Sequence, residues 1–298
     1  MTTLQAGSVQ ARPIPSFSQR LGNAFLGRQL VRASQVVGLV LFSLLIVLAL
    51  FPNLVAPYDA TERVGLPLRK PSAEFRLGTN DLGQDLLSEL IAGTRASVFT
   101  GLIVAMISVL TGAAIGVVSG YLGGWVDSLL MRLTDLILVM PFLPLVILLS
   151  VYLGSSQRNV IIVLSFFFWA GPARLIRSQV LRLREDTYIE AARALGAGPL
   201  QIMLRHLWAG VRPLVLTQIV LVASAAILAE SSLSFLGLGD PSKKSWGTML
   251  YFARASGAFL TESWKWWVLP TGLMITLTVL SLGLIGYSLE SRLSYSES

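Results

Sequence analysis

Cysteine is missing from this 298-residue chain, and histidine occurs once, at His206. The first absence excludes disulfides and thiolate metal sites, and the second excludes a cage of histidines around a metal. Charge is scarce as well: 13% of the residues are Asp, Glu, Lys or Arg, about half the share usual in soluble domains. No GxxxxGK[ST] loop, GxGxxG fingerprint or HExxH helix occurs anywhere. GTNDLG at residues 78–83 has two glycines but follows no strand signal, and it reads as a turn. No nucleophile, base and orienting acid can be assembled, so the chain is not expected to be an enzyme by itself.

What fills the chain instead is apolar sequence: 54% of residues are hydrophobic and the mean hydropathy is +0.69. A span needs about 20 apolar residues, and six runs qualify, at residues 35–56, 98–121, 133–153, 160–176, 214–237 and 266–289. The expectation is an all-α polytopic membrane protein with six transmembrane helices. The 23 Lys and Arg exceed the 16 Asp and Glu, giving +7; they flank apolar runs, so anionic lipid and topology explain them better than nucleic acid. Arg12, Arg20, Arg28 and Arg32 precede the first run with no acid among them. The positive-inside rule therefore puts a tail of residues 1–34 in the cytoplasm, and six crossings return the 291–298 tail to the same side. Residues 35–56 make the first span and 57–97 an extracytoplasmic loop. A five-helix core occupies 98–290, with a polar, arginine-rich loop at about 182–212 between the fourth and fifth helices. Residues 238–265 also lie outside, and the turn near Asp127 and Arg132 inside. No cleavable signal is apparent.

Several residues stand out against this background. Gly112, Gly116 and Gly120 form two overlapping GxxxG units, suited to close helix packing within the bundle. Pro141 and Pro144 are expected to kink the third span. Glu230 lies towards the outer end of the fifth span and is a candidate for the translocation path or gate, with hydration near the interface or pairing across a subunit contact as the other reading. Asp135 is a second such candidate; it is also read as pairing with Arg132 at i−3 or capping a helix end. Neither acid has a chain of polar partners through the membrane, which counts against a carrier driven by an ion gradient.

The most patterned segment is DTYIEAARALGAGPLQIMLRH, residues 186–206. Thr187 and Glu190 have capping-box spacing, alanines follow, and Gly196 to Pro199 stop one helix and start another. Leu200, Met203, Leu204 and Leu207 give the second helix one apolar face. Two short helices at a sharp turn, with small residues and an apolar stripe, suit docking into a partner's groove.

EAARALGAGPLQIMLRHL resembles the EAA loop of membrane subunits of ATP-binding-cassette importers, with Glu190, Ala191, Ala192 and Gly196 at the pattern positions. LGTNDLGQDLLSELIAGTRAS (77–97), GYLGGWVDSLLMRLTDLILVMP (120–141), SLSFLGLG (232–239) and SWGTML (245–250) look like the dipeptide, oligopeptide and nickel permease family, and within it the C-type second permease. The likeness covers about residues 35–290; Trp208-Ala209 stands where Leu-Pro is common, and the turn at 239–247 also departs from the family pattern.

The resemblance implies a permease subunit in a prokaryotic inner membrane, forming with a second homologous permease the path for small peptides brought by an extracytoplasmic solute-binding protein. It implies that Glu190, Ala191, Ala192, Arg193 and Gly196 couple to a separate ATPase. ATP and Mg would bind that partner, and no cofactor or metal would bind this chain. Arg193 and Arg205 are read either as partners of acids on the ATPase or as part of the positive-inside excess. A nickel or metal-chelate permease is the alternative inside the family, and an ion-gradient carrier the alternative outside it.

Overall fold

The computed structural model describes residues 17–296, with side chains described from 33 to 291. The side chains of Arg12, Arg20, Arg28 and Arg32 lie outside that range. The described residues are helical apart from loops and one isolated bridge between Thr79 and Asp85. In chain order the helices are α1 (Phe17–Leu50), α2 (Pro52–Val55), α3 (Leu86–Leu122), α4 (Gly124–Val139), α5 (Phe142–Leu153), α6 (Gln157–Phe168), α7 (Ala170–Leu183), α8 (Thr187–Ala194), α9 (Pro199–Gln201), α10 (Trp208–Phe235), α11 (Trp246–Ala255) and α12 (Val268–Ser296). A π-helical stretch, Ile202–Leu207, joins α9 to α10, and two 3-10 turns precede α12.

Among the described residues, five stretches are long and apolar enough to cross a membrane: Ala33–Leu50, Leu86–Leu122, Gln157–Leu183, Pro199–Phe235 and Glu262–Ser291. The pair α4 and α5 makes a sixth span if taken as one, yet it is bent by 89°. The expected kink of the third span is thus a full break. Met140 has extended backbone at ψ 139°, the conformation that a following proline imposes, and Pro141 cannot carry the α4 hydrogen-bond ladder onward. Pro144 falls in the first turn of α5, where a missing N–H costs little.

Two other expected limits move. Residues 86–97, expected in a loop, are the first turns of α3, started by Asp85, whose carboxylate accepts from the Ser88 amide at 2.8 Å. The fifth span likewise begins at Pro199 rather than 214, the helix running on through the π-helical stretch and through Pro213, which lies inside α10.

Helix α3 is the centre of the bundle, packed on α7, α10, α6 and α1, while α12 lies along α1 and α10. Gly112 and Gly116 face α7 so closely that a Cβ would stand 2.5 Å from the Trp169 carbonyl and 2.6 Å from the Ala173 carbonyl. Gly120 meets Val180 in the same way. The stripe therefore serves packing inside this chain. Gly116→Leu is expected to force the two backbones apart at a cost of about 3 kcal/mol or more. Heat unfolding in detergent checks this: an unchanged melting temperature would contradict the packing.

Candidate functional site

The two ends of the bundle carry different chemistry. At the end holding residues 56–85 and 236–267, the GTNDLG segment is a turn whose backbone is organised by one side chain. Asn80 Oδ1 accepts from the amides of Leu82 and Gln84 at 2.9 Å each, and its Nδ2 donates to Glu89 Oε2 at 3.0 Å. Glu89, almost fully buried on α3, is paired by Lys244 Nζ at 2.9 Å. Lys244 also donates to Gln84 Oε1 at 2.8 Å. One lysine from the loop before α11 thereby ties that loop to α3 and to the turn. A charge taken from water needs such a partner with its remaining lone pairs met.

Glu230 sits one layer deeper, on the last turns of α10, and is 5% exposed. Ser234 Oγ donates to it at 2.8 Å; Ser97 on α3 and Ser231 stand at 3.4 Å. Among the described residues no cation pairs with it. Ser97 in turn accepts from the Trp246 amide at 3.1 Å, and the fully buried Trp246 indole donates to the Leu90 carbonyl at 3.2 Å. The carboxylate thus anchors a hydroxyl cluster where α3, α10 and α11 meet. Beside it, Asp240 accepts from the Ser242 amide and hydroxyl and, at 3.4 Å, from the Gln157 amide that opens α6. Burial works against the ionised form of Asp240, but those bonds outweigh it and hold its carboxyl below the usual range.

At the other end, Arg177 on α7 grips Asp127 of α4 through Nε and Nη2, both at 2.5 Å. Ser119 also donates to Asp127, and Arg184 donates to the Gly120 carbonyl at 3.1 Å. These bonds hold the α3–α4 turn against α7. Asp135 pairs with Arg174 of α7, not with Arg132 as its i−3 spacing suggested. The adjacent helix offers a guanidinium that meets Asp135 directly, whereas i,i+3 pairs on one helix are weak.

Helix α8 starts with Asp186 as N-cap and no side-chain cap bond, so the Thr187–Glu190 capping box does not form. Its end is a Schellman motif: the Ala197 amide bonds the Ala192 carbonyl and the Gly196 amide the Arg193 carbonyl, both at 3.0 Å, with Gly196 at φ +88°. The second helix is not short, since Pro199 to Phe235 is continuous. Its inward residues are Ile202 and Leu207, while Leu200 and Leu204 point outward with the 89%-exposed Leu195. The expected apolar face is therefore divided between core and surface. Glu190, Ala191, Arg193 and Gly196 are exposed, and Ala192 partly so; Ile189 alone anchors α8 in the core.

The Glu89–Lys244 pair has no signal in the sequence, because it joins residues 155 apart and leaves no local pattern; Asn80 stands there only as part of a turn, and Gln84 carries no signal of its own. Glu230 was visible as an acid in an apolar run.

A family described as binding-protein-dependent transport system inner membrane component matches residues 112–295. The chain is 34% identical over 292 residues to the dipeptide transport system permease protein DppC of Bacillus subtilis, covering 97% of this chain and 88% of that protein. It is 38% identical over 266 residues to the di/tripeptide transport system permease protein DppC of Pseudomonas aeruginosa, covering 86% of each. Against the glutathione transport system permease protein GsiD of Pectobacterium atrosepticum, identity is 33% over 270 residues, with 89% and 88% covered.

Proposed function

The chain belongs to the family of binding-protein-dependent transport system inner membrane components, and on that premise we propose that it is one permease subunit of an ATP-driven importer of small peptides. A second, homologous permease completes the path, an extracytoplasmic binding protein delivers the cargo, and a separate ATPase binds ATP and Mg. The arginine-rich end, with the termini, faces the cytoplasm, and the end bearing Glu89 and Lys244 faces outward.

The observation that carries this reading is the α8–Gly196–α9 corner. It presents Leu195, Leu200 and Leu204 to solvent on a backbone fixed by the Schellman bonds. An apolar surface held this rigidly on the polar, arginine-rich side of a membrane bundle fits a groove on a partner. The same helix that leaves this corner ends in the hydroxyl cluster around Glu230. Glu190, Ala191, Ala192, Arg193 and Gly196 then form the surface that meets the ATPase, Arg193 offering a charge to acids there. Peptides as cargo are supported by the dipeptide, di/tripeptide and glutathione permeases it resembles. A peptide path needs little chemical selectivity of its own, because the receptor sorts the side chains.

Reconstitution tests the assignment. Liposomes holding both permeases and the ATPase, with receptor outside and ATP inside, are expected to accumulate labelled dipeptide. Omission of the ATPase is expected to abolish uptake even under an imposed proton or sodium gradient. Gradient-driven uptake by the permeases alone would instead establish a carrier, and ATP-driven uptake of nickel but not dipeptide would establish the metal-chelate alternative.

A further inference from the structure

Beside the Glu89–Lys244 pair, a cavity of about 460 Å³ opens between α2, the 59–61 turn, α3 and the 242–244 loop. This is the size of a small-molecule site rather than a water pocket. Its polar lining carries both signs of charge. Arg95 and Lys243 line it without an ion-pair partner among the described residues, whereas Lys244 is already committed to Glu89. Asp59 lines it too; its carboxylate accepts from the Thr61 amide at 2.7 Å and from the Thr61 hydroxyl at 2.5 Å, and it meets no cation among the described residues. Those bonds hold the Asp59 carboxyl below its ordinary range, so it is charged at neutral pH. Phe99, Pro52 and Ala92 add apolar wall, and Gln157 spends its amide N–H on Thr100 at 2.7 Å, leaving its carbonyl oxygen as an acceptor.

We propose that this cavity is a receiving site for a short zwitterionic peptide, with the terminal carboxylate held by Arg95 and Lys243 and the terminal ammonium by Asp59. Unpaired charges of both signs in one apolar-walled cavity complement a ligand that carries both, and a single anion such as a phosphate would leave Asp59 unmatched. Arg95 and Lys243 are side-chain donors to the carboxylate, a charge-assisted pairing, and Phe99 offers a face for whichever side chain the peptide carries. The assignment rests on peptide being the cargo. It adds a place where this chain itself touches the arriving ligand, next to the hydroxyl cluster of Glu230, since Ala96, Gln157 and Lys243 line both cavities.

The test uses the whole permease–ATPase complex in nanodiscs, without receptor, and a dipeptide of photo-leucine and alanine that cross-links on illumination. Peptide mapping is expected to find the label on residues 92–99 or 242–244. Labelling is expected to fall about tenfold or more for the C-terminal amide, for the N-acetyl dipeptide, and for Arg95→Gln/Lys243→Gln, as loss of at least one charge-assisted bond predicts. Both substituted side chains are exposed, and an unchanged melting temperature of the variant confirms that it folds. Label placed elsewhere, no label, or equal labelling by acid and amide overturns the site. Receptor-dependent uptake of the same dipeptide is measured in parallel. Uptake without labelling here refutes only this inference, whereas absence of uptake by the parent complex refutes the peptide reading itself.

Discussion

Gly196→Pro is expected to leave a bundle that inserts, folds and melts like the parent while ATP-driven uptake falls about a hundredfold. Gly196 holds φ +88° and donates its amide to the Arg193 carbonyl. Proline locks φ near −65° and has no N–H, so the Schellman turn cannot close around it. A cost of about 3 kcal/mol in the docking-competent conformation lowers its population by about two powers of ten. No atom outside the turn lies within 4 Å of a Cβ built at this position, which is why the strain stays local and the core is spared. Glu190→Lys, on the same exposed surface, is expected to reduce uptake without touching stability. Uptake and ATPase binding are measured beside the melting curve. Normal transport by Gly196→Pro would remove the docking role from this corner.

Lys244→Met is expected to have the largest effect on stability, lowering the melting temperature in detergent by about 10 °C. The substitution leaves Glu89, 1% exposed in its side chain, without a cation. Removing one member of a buried pair costs about 3–5 kcal/mol, and about 2–4 °C accompanies each kcal/mol in a protein of this size. The Asn80 amide still donates to Glu89 and limits the loss. Lys244→Met with Glu89→Gln is expected to recover most of it, because the second change removes the stranded charge. Tryptophan fluorescence follows the unfolding. If Lys244→Met alone melts within about 1 °C of the parent, the pair is not what joins the two outer segments.

The fold was legible where hydrophobic length decides structure. Runs of apolar residues predicted the spans, and Gly112 with Gly116 marked a close helix contact that the structure places against α7. Limits were less legible wherever a polar residue belongs to a helix. The apolar run that begins at 98 leaves residues 86–97 to the loop, although Glu89 and Arg95 within them each have a place to put their charge: one on Lys244, the other in an open cavity. At residues 199–207 the apolar spacing predicts one face of a short helix. The π-helical stretch changes which side chains turn inward, so Ile202 and Leu207 are buried and Leu204 is not. Asp135 shows the same limit: Arg132 was the neighbour that sequence spacing offered, and Arg174 is the one that packing supplies.

The helical stretch from Pro199 to Phe235, π-helical turn and Pro213 included, has 37 residues and is therefore about 55 Å long. It is a lever. Its foot stands at the exposed leucines and its head at Glu230, so a tilt of about 5° around the middle moves each end by about 2 Å, in opposite directions. A displacement of that size exceeds what a hydrogen bond tolerates. Ser97, on another helix, would lose Glu230 before the leucines had travelled the width of a methyl group.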